Sequence, residues 1–344
     1  MDVDVERRKS PSPLAGEGRG TRSVSRHVVR RGGEAEFSVP PAFADRSRGF
    51  ARWTVVGEES PAVHTGFALA RLEAGGWVAN HVHSYEESVY LMDGEADLTT
   101  NEGTFRLRAG DYGVIPVGVP HSWRGSERNA RWAQMMAPQP RTRFAGDTFF
   151  PDSSSQSPKS HPPPRVDRPN SPPPLEEGRV GAAPIDVRDP RTRSFGHIEP
   201  SNMDVTKQTQ DQLAVSASMR TALLVYSGIT VKMMVDSDLG AQLSTMFMVQ
   251  YEPNGVAGQH DHPFEETYLI VEGSVDATFD GEQYRMDAGD IAFAGVGCVH
   301  GFSNPADKPV RWLETQAPQP PARHSYRFAR DWDYLQSRIS GKKS

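Results

Sequence analysis

The chain has 344 residues, a net charge of −6 and a pI near 6.0, which leaves room for two domains and a linker and offers no basic face for nucleic acid. A single cysteine, Cys298, excludes a disulfide framework within the chain. No run approaches the roughly 20 apolar residues of a membrane helix, and the basic residues Arg7, Arg8 and Lys9 are not followed by the apolar stretch of a secretory signal. The expectation is a cytoplasmic protein with neither membrane nor nucleic acid as a partner.

In chain order, residues 1–45 are rich in Arg, Gly, Ser and Pro and offer little apolar surface against the entropy of ordering. A largely disordered arm is expected there, with 37–50 as a docked segment. From Trp53 the pattern becomes short β-type runs broken by Gly, Asp and Asn. Strands are predicted at 66–72, 87–92, 104–108, 112–115 and 131–135, with a turn at Asn101-Glu102-Gly103. Many short strands at close spacing argue an all-β sandwich or barrel, here over 46–150.

Residues 151–184 include ten prolines in 34 positions; such a segment favours extended polyproline II, cannot build a core and reads as a disordered linker. Segments 10–20 and 171–181 share one Ser-Pro, Pro-Leu, Glu-Gly-Arg pattern and read as passive inserts. The second unit, 185–344, opens with a candidate helix at 212–226. Strands are predicted at 229–235, 244–250, 267–271, 275–279 and 290–293, with Asp280-Gly281 as a hairpin signal. The tail, 326–335, carries Phe328, Trp332 and Tyr334 and predicts a short helix against a barrel.

The chemistry sits in two stretches of matching design. The first holds His81-x-His83, then Glu87 and Gly94; the second holds His260-x-His262, then Glu266 and Gly273. On a strand, alternate side chains share one face roughly 7 Å apart, so a His-x-His pair can aim two imidazoles at one point. The residues between read as a turn, which returns the glutamate to that point on the neighbouring strand. A fourth ligand comes later in each copy, at His121 and at His300. All of these pairs, the closing glycines included, are offset by 179 residues, and Ala137-Pro138-Gln139-Pro140 recurs at Ala317 with an offset of 180. One His-x-His is a weak signal; four ligands repeated in register mark an internal duplication.

At these residues the chain resembles the cupin superfamily in its two-domain, bicupin form. Gly75, His81, His83, Glu87 and Gly94 fit the first motif of that family fully; in the second copy the opening glycine, Gly255, falls one position late. The second motif fits at Gly110, Pro116, Gly118 and His121, and again at Gly289, Gly297, His300 and Asn304. Gly125 stands where the family has Asn, and Gly295 where it has Pro. The departures touch turns and leave the ligands intact. The resemblance implies two jelly-roll barrels in tandem with short flanking helices, each with a metal in its mouth, and commonly self-association.

Three neutral imidazoles and a carboxylate suit a divalent transition ion, Fe or Mn first and Ni, Co, Cu or Zn as alternatives, one per barrel. Such a site keeps a charge of about +1 and two open positions on an octahedral ion. The expected function is a metal-dependent dioxygenase of a small oxygen-rich metabolite, with Glu266 as ligand and catalytic base. The 3-His-1-Glu set resembles flavonol dioxygenases. The alternatives are a metal-loaded binding or sensing bicupin, or a decarboxylase or hydrolase. Glu86 and Glu265 read as solvated loop residues. Cys298 reads as a buried, inert thiol sharing the inward face of His300. Met233, Met234, Met246 and Met248 read as core, and His197 and His324 as domain contacts.

Overall fold

The computed structural model describes residues 25–151, 184–188, 194–204, 226–237, 239–319 and 327–328. The disordered readings of residues 1–24 and of most of the linker, the segments 10–20 and 171–181, the candidate helix before Tyr226, His324 and most of the aromatic tail lie outside the described residues. Residues 25–45, expected as part of a largely disordered arm, instead carry the strand His27–Arg30 and the 3-10 turns Gly32–Glu34 and Pro41–Phe43. Tyr226 itself opens a strand, Tyr226–Val235. The helical elements among the described residues are short 3-10 turns, such as Pro41–Phe43 and Pro200–Met203.

Alternation builds each half. Along Glu95–Thr100, Ala96 and Leu98 are buried between more open neighbours, and along Ser274–Phe279 the same holds for Val275, Ala277 and Phe279. A strand with one apolar face must bury it, and removing a Phe or Leu side chain from water contributes about 1.5–3 kcal/mol. Each sheet therefore curls around its own apolar interior, and the protein is all-β with two tandem barrels. In the first sheet Gly66–His83 lies between His121–Gly125 and Ala130–Ala137, and Glu86–Asp93 lies beyond the latter. In the second sheet Thr245–Asp261, His300–Ser303, Val310–Ala317 and Glu265–Glu272 take the same places. The Asp280-Gly281 hairpin forms as expected, with φ of 49° and 88°, the double positive φ of a type I′ turn.

The barrels exchange strands. His27–Arg30 of the N-terminal arm pairs antiparallel with Ile291–Ala294 of the second barrel. Ile185–Asp186 and Phe195–His197, just past the linker, add to the first barrel's sheet at Phe105–Arg106 and Asp111–Gly113. His197 anchors its strand there, with Nδ1 2.6 Å from Asp111 Oδ1. The arm also explains a motif departure: Gly295 donates its N–H to the Arg26 carbonyl at 2.8 Å, a bond the family's proline could not make.

A shared apolar core joins the barrels. It includes Trp53, Phe67, Leu69 and Met135 from one side and Met234, Met246, Met248 and Leu313 from the other. Met233 departs from its expected core place; it faces out at 51% exposure.

Across this core runs a reciprocal clamp. The Glu86 carboxylate accepts N–H bonds from Gln242, Leu243 and Ser244 and a hydroxyl bond from Ser244 at 2.6 Å. Glu265 accepts the N–H groups of Val63, His64 and Thr65 at 2.6–2.9 Å. Both glutamates are 1% exposed. The expectation of solvated loop residues is thereby corrected: a buried carboxylate needs this many donors, and the other barrel supplies them. Glu86→Ala should cost on the order of 3 kcal/mol in denaturant unfolding, because it strands buried donors. Breaking the exposed Arg285–Asp276 pair by Arg285→Ala should cost under about 1 kcal/mol. Equal costs would refute the clamp.

Candidate metal centres

His81 and His83 end the strand Gly66–His83, and His121 opens His121–Gly125 directly opposite His81. Their ring centroids lie 4.1–5.0 Å apart. In the second barrel His260 stands opposite His300, with centroid separations of 4.4–6.0 Å among His260, His262 and His300. In each triad one ligating nitrogen per ring falls within 4.8 Å of the others. Every one of the six is at most 5% exposed.

The glutamates join these triads. Glu87 Oε2 is 3.1 Å from His83 Nε2 and 3.5 Å from His121 Nε2. Glu266 Oε2 is 2.6 Å from His262 Nε2 and 3.3 Å from His300 Nε2. The route differs from the sequence expectation. Glu87 arrives on a strand once removed from the His-x-His strand, with Ala130–Ala137 between them. Past each glutamate strand the chain turns sharply. Gly94 and Gly273, which close the first motif, have φ of 75° and 76°, and a Cβ at Gly94 would lie 1.7 Å from the Asn129 carbonyl oxygen, so only glycine fits.

The imidazoles are fixed from behind. Nδ1 faces a backbone carbonyl in five of the six: Ala79 for His81, Val119 for His121, Gly258 for His260, Phe264 for His262 and Cys298 for His300, all at 2.7–3.0 Å. A carbonyl only accepts, so Nδ1 carries the proton and Nε2 presents its lone pair to the cluster. His83 is held instead by the Thr148 hydroxyl, 3.0 Å from Nδ1. Nε2 of His121 and of His300, and Oε2 of Glu87, are buried with no hydrogen-bond partner. Such orphaned lone pairs are costly, and a shared cation would satisfy them together. The donor set thus fits one divalent transition ion per barrel.

Burial, first among the influences, pushes His83 down to about 4 and His260 to about 3, and holds His81 well below its ordinary value. These rings are neutral at physiological pH, the form that ligates. Burial raises Glu87 and Glu266, but any proton or positive charge brought to the adjoining imidazole nitrogens outweighs it, and both carboxyls lie below the ordinary range.

The groups behind the two glutamates differ. Gln134 Nε2 donates to Glu87 Oε1 at 2.8 Å. At the matching place the second barrel has Glu314, which burial and the neighbouring Glu266 push well above the usual carboxyl range. There the amide comes from Gln316, 2.6 Å from Glu266 Oε1, and the Tyr268 hydroxyl donates to Glu266 Oε2. Sequence reasoning passed over Thr148, Gln134 and Gln316. Aligning the copies at the 180-residue offset sets Gln134 against Glu314 and Met136 against Gln316, polar residues inside β runs, which was the available signal.

A third group, His27, Asp280 and Cys298, also has ligand atoms within 4.8 Å. Arg26 holds both Asp280 oxygens, at 2.7 and 3.0 Å, and burial raises the Cys298 thiol to about 12. This cluster anchors the N-terminal arm, and Cys298 is buried beside it as an unreactive thiol.

The cupin domain family matches residues 68–136 and 247–315. The polyketide synthase protein TcmJ for tetracenomycin, from Streptomyces glaucescens, is 26% identical over 129 residues, 35% of this chain and 87% of that protein. A quercetin 2,3-dioxygenase from Bacillus subtilis is 38% identical over 52 residues, 15% of each chain. Among solved structures, oxalate decarboxylase from Bacillus subtilis superposes with a TM-score of 0.56 at 16% identity, covering 93% of this chain and 84% of that one. Oxalate decarboxylase from Lactobacillus farciminis gives 0.55 at 18% identity, covering 92% and 94%. At these identities the structures show a shared fold.

The buried neutral rings predict a pH effect in metal-free protein. Unfolded imidazoles protonate near 6.5, whereas His83 and His260 do so only near 4 and 3. Between those values the unfolded state binds more protons, so acidification favours unfolding. Glu86, Asp111 and Glu314, raised chiefly by burial, act in the opposite sense. The comparison is therefore between the wild type and a His83→Gln, His260→Gln double variant. The wild type should lose more Tm from pH 6.5 to 4.5; parallel curves would contradict the assignment.

Proposed function

Because the chain is a two-domain member of the cupin superfamily, we propose that each barrel holds one divalent transition ion and that the protein is a dioxygenase of a small aromatic, oxygen-rich metabolite. His81, His83, His121 and Glu87 hold the first ion; His260, His262, His300 and Glu266 hold the second. Fe or Mn suits this mixed imidazole and carboxylate set. The observation that carries the reading is the set of buried imidazoles whose Nδ1 protons are tied to carbonyls while Nε2 converges on a carboxylate.

The ring surroundings support the substrate class. Phe43 and Phe150 pack against His81 at 5.3 and 5.6 Å between centroids. Phe264 stacks on His262 at 3.9 Å, and Phe279 and Phe302 lie about the His300 ring at 6.2 and 6.0 Å. These rings shield the imidazoles from water, and a flat phenolic ring bound beside them would find edge and face contacts. When bound, the ion supplies Lewis acidity and electron exchange with O₂. The neutral imidazoles and one carboxylate leave the site about one unit positive, which favours a phenolate. Glu266 is ionised at neutral pH and accepts the proton of the substrate hydroxyl. A lyase reading rests on the whole-length likeness of fold to oxalate decarboxylases.

Metal analysis and turnover test the proposal. Protein purified without chelators should hold two equivalents of metal and take up one O₂ per polyphenol consumed. His260→Ala with His262→Ala should lose one equivalent and most of the activity; His81→Ala with His83→Ala should lose the other equivalent. CO₂ release from oxalate without net O₂ uptake would establish the lyase instead. Two equivalents with no turnover on either substrate would establish a binding module. Full metal retention in both variants would refute the ligand assignment.

A further inference from the structure

The two centres differ in how their glutamates connect to the clamp, and the difference falls at positions the strand register makes equivalent. In the second barrel Thr245 pairs with Gln316, and Gln316 pairs with Glu266. In the first barrel the same ladder places hold Gly66, Met136 and Glu87. The Thr245 hydroxyl donates to Gln316 Oε1 at 3.3 Å, and Gln316 Nε2 donates to Glu266 Oε1 at 2.6 Å. Thr245 is the residue next to Ser244, whose N–H and hydroxyl are bound by Glu86. Glu86 is in turn the residue next to Glu87.

One continuous run of hydrogen bonds and short backbone steps therefore joins the carboxylate of the first centre to that of the second: Glu87, Glu86, Ser244, Thr245, Gln316, Glu266. The reciprocal run is broken. Glu265 grips Thr65 through the backbone, but the Thr65 hydroxyl has no partner. Beyond it, Gly66 has no side chain to donate and Met136 no amide to receive. Glu87 is held from Gln134 instead, outside the clamp. All the polar side chains of the run are buried, so water does not compete with these bonds.

We propose that Thr245 and Gln316 are positioning residues that couple the two centres, so that metal binding in one barrel strengthens metal binding in the other. The inference rests on the metal reading above. Filling the first centre fixes Glu87, which fixes Glu86 in the clamp and the loop 242–244 with it. Thr245 and Gln316 are then already ordered when Glu266 takes its metal, and the second binding event costs less ordering entropy. Linkage makes the effect mutual.

The test is calorimetric titration of the metal-stripped full chain with Mn²⁺. Wild type should bind two equivalents with the second at least about 5-fold tighter than the first, the lower end of ordinary coupling. Thr245→Val, which leaves all eight ligands in place, should still bind two equivalents but independently; Thr245→Ser, which keeps the hydroxyl, should restore cooperativity. In His81→Ala with His83→Ala, the second centre should bind as weakly as the first event in wild type. Two independent equivalents in wild type, or undiminished cooperativity in Thr245→Val, would overturn the coupling and leave the metal reading standing. No metal binding at all would overturn the metal reading, and the coupling with it.

Discussion

The site depends on a plain interaction: an imidazole N–H donating to a backbone carbonyl two residues away. Repeated at His81, His121, His260, His262 and His300, it turns each ring so that the other nitrogen faces a buried point shared with a glutamate. The cost of leaving those nitrogens unsatisfied is the ground on which we propose a binding site there rather than packing. Burial keeps rings such as His83 and His260 neutral, so the lone pairs stand ready without competition from protons.

Around that fixed set, the two copies share the proposed ligands and differ in their supports. Both barrels hold the glutamate by an amide from the same strand. In the first it is Gln134 and in the second Gln316, two residues further along in the aligned copies. A buried carboxylic acid, Glu314, accompanies only the second, and the phenol falls differently: Tyr268 bonds the glutamate there, whereas the Tyr85 hydroxyl lies 3.2 Å from His83 Nε2 in the first. The barrels are also laced together by exchanged strands and by the Glu86 and Glu265 clamp, so that each ligand glutamate has an immediate neighbour gripping the opposite barrel.

Much of this was legible in the sequence. The ligand spacing, the closing glycines and the Asp280-Gly281 turn state local geometry, and a repeat at constant offset tells the same story twice. The illegible part depends on chain reversal. Glu86 is beside a ligand, yet its partners are 156–158 residues away, and nothing local distinguishes a buried clamp from a solvated loop. Met233 alternates with Met234 along one strand, and which of them faces the other barrel is set by packing. The strand-once-removed position of Glu87 comes from barrel closure, which periodicity along one segment does not encode. Gly295 departed from the family pattern because a strand from residue 27 onward comes to lie against it.

The central claim is that four side chains in each half converge on a metal ion. Crystals of protein purified without chelators, measured across the absorption edges of the first-row metals, test it directly. The account predicts two anomalous peaks per chain, each about 2.0–2.2 Å from three Nε2 atoms and one glutamate oxygen. Full-occupancy crystals with no anomalous peak at either cluster, or with peaks coordinated by other residues, would contradict it.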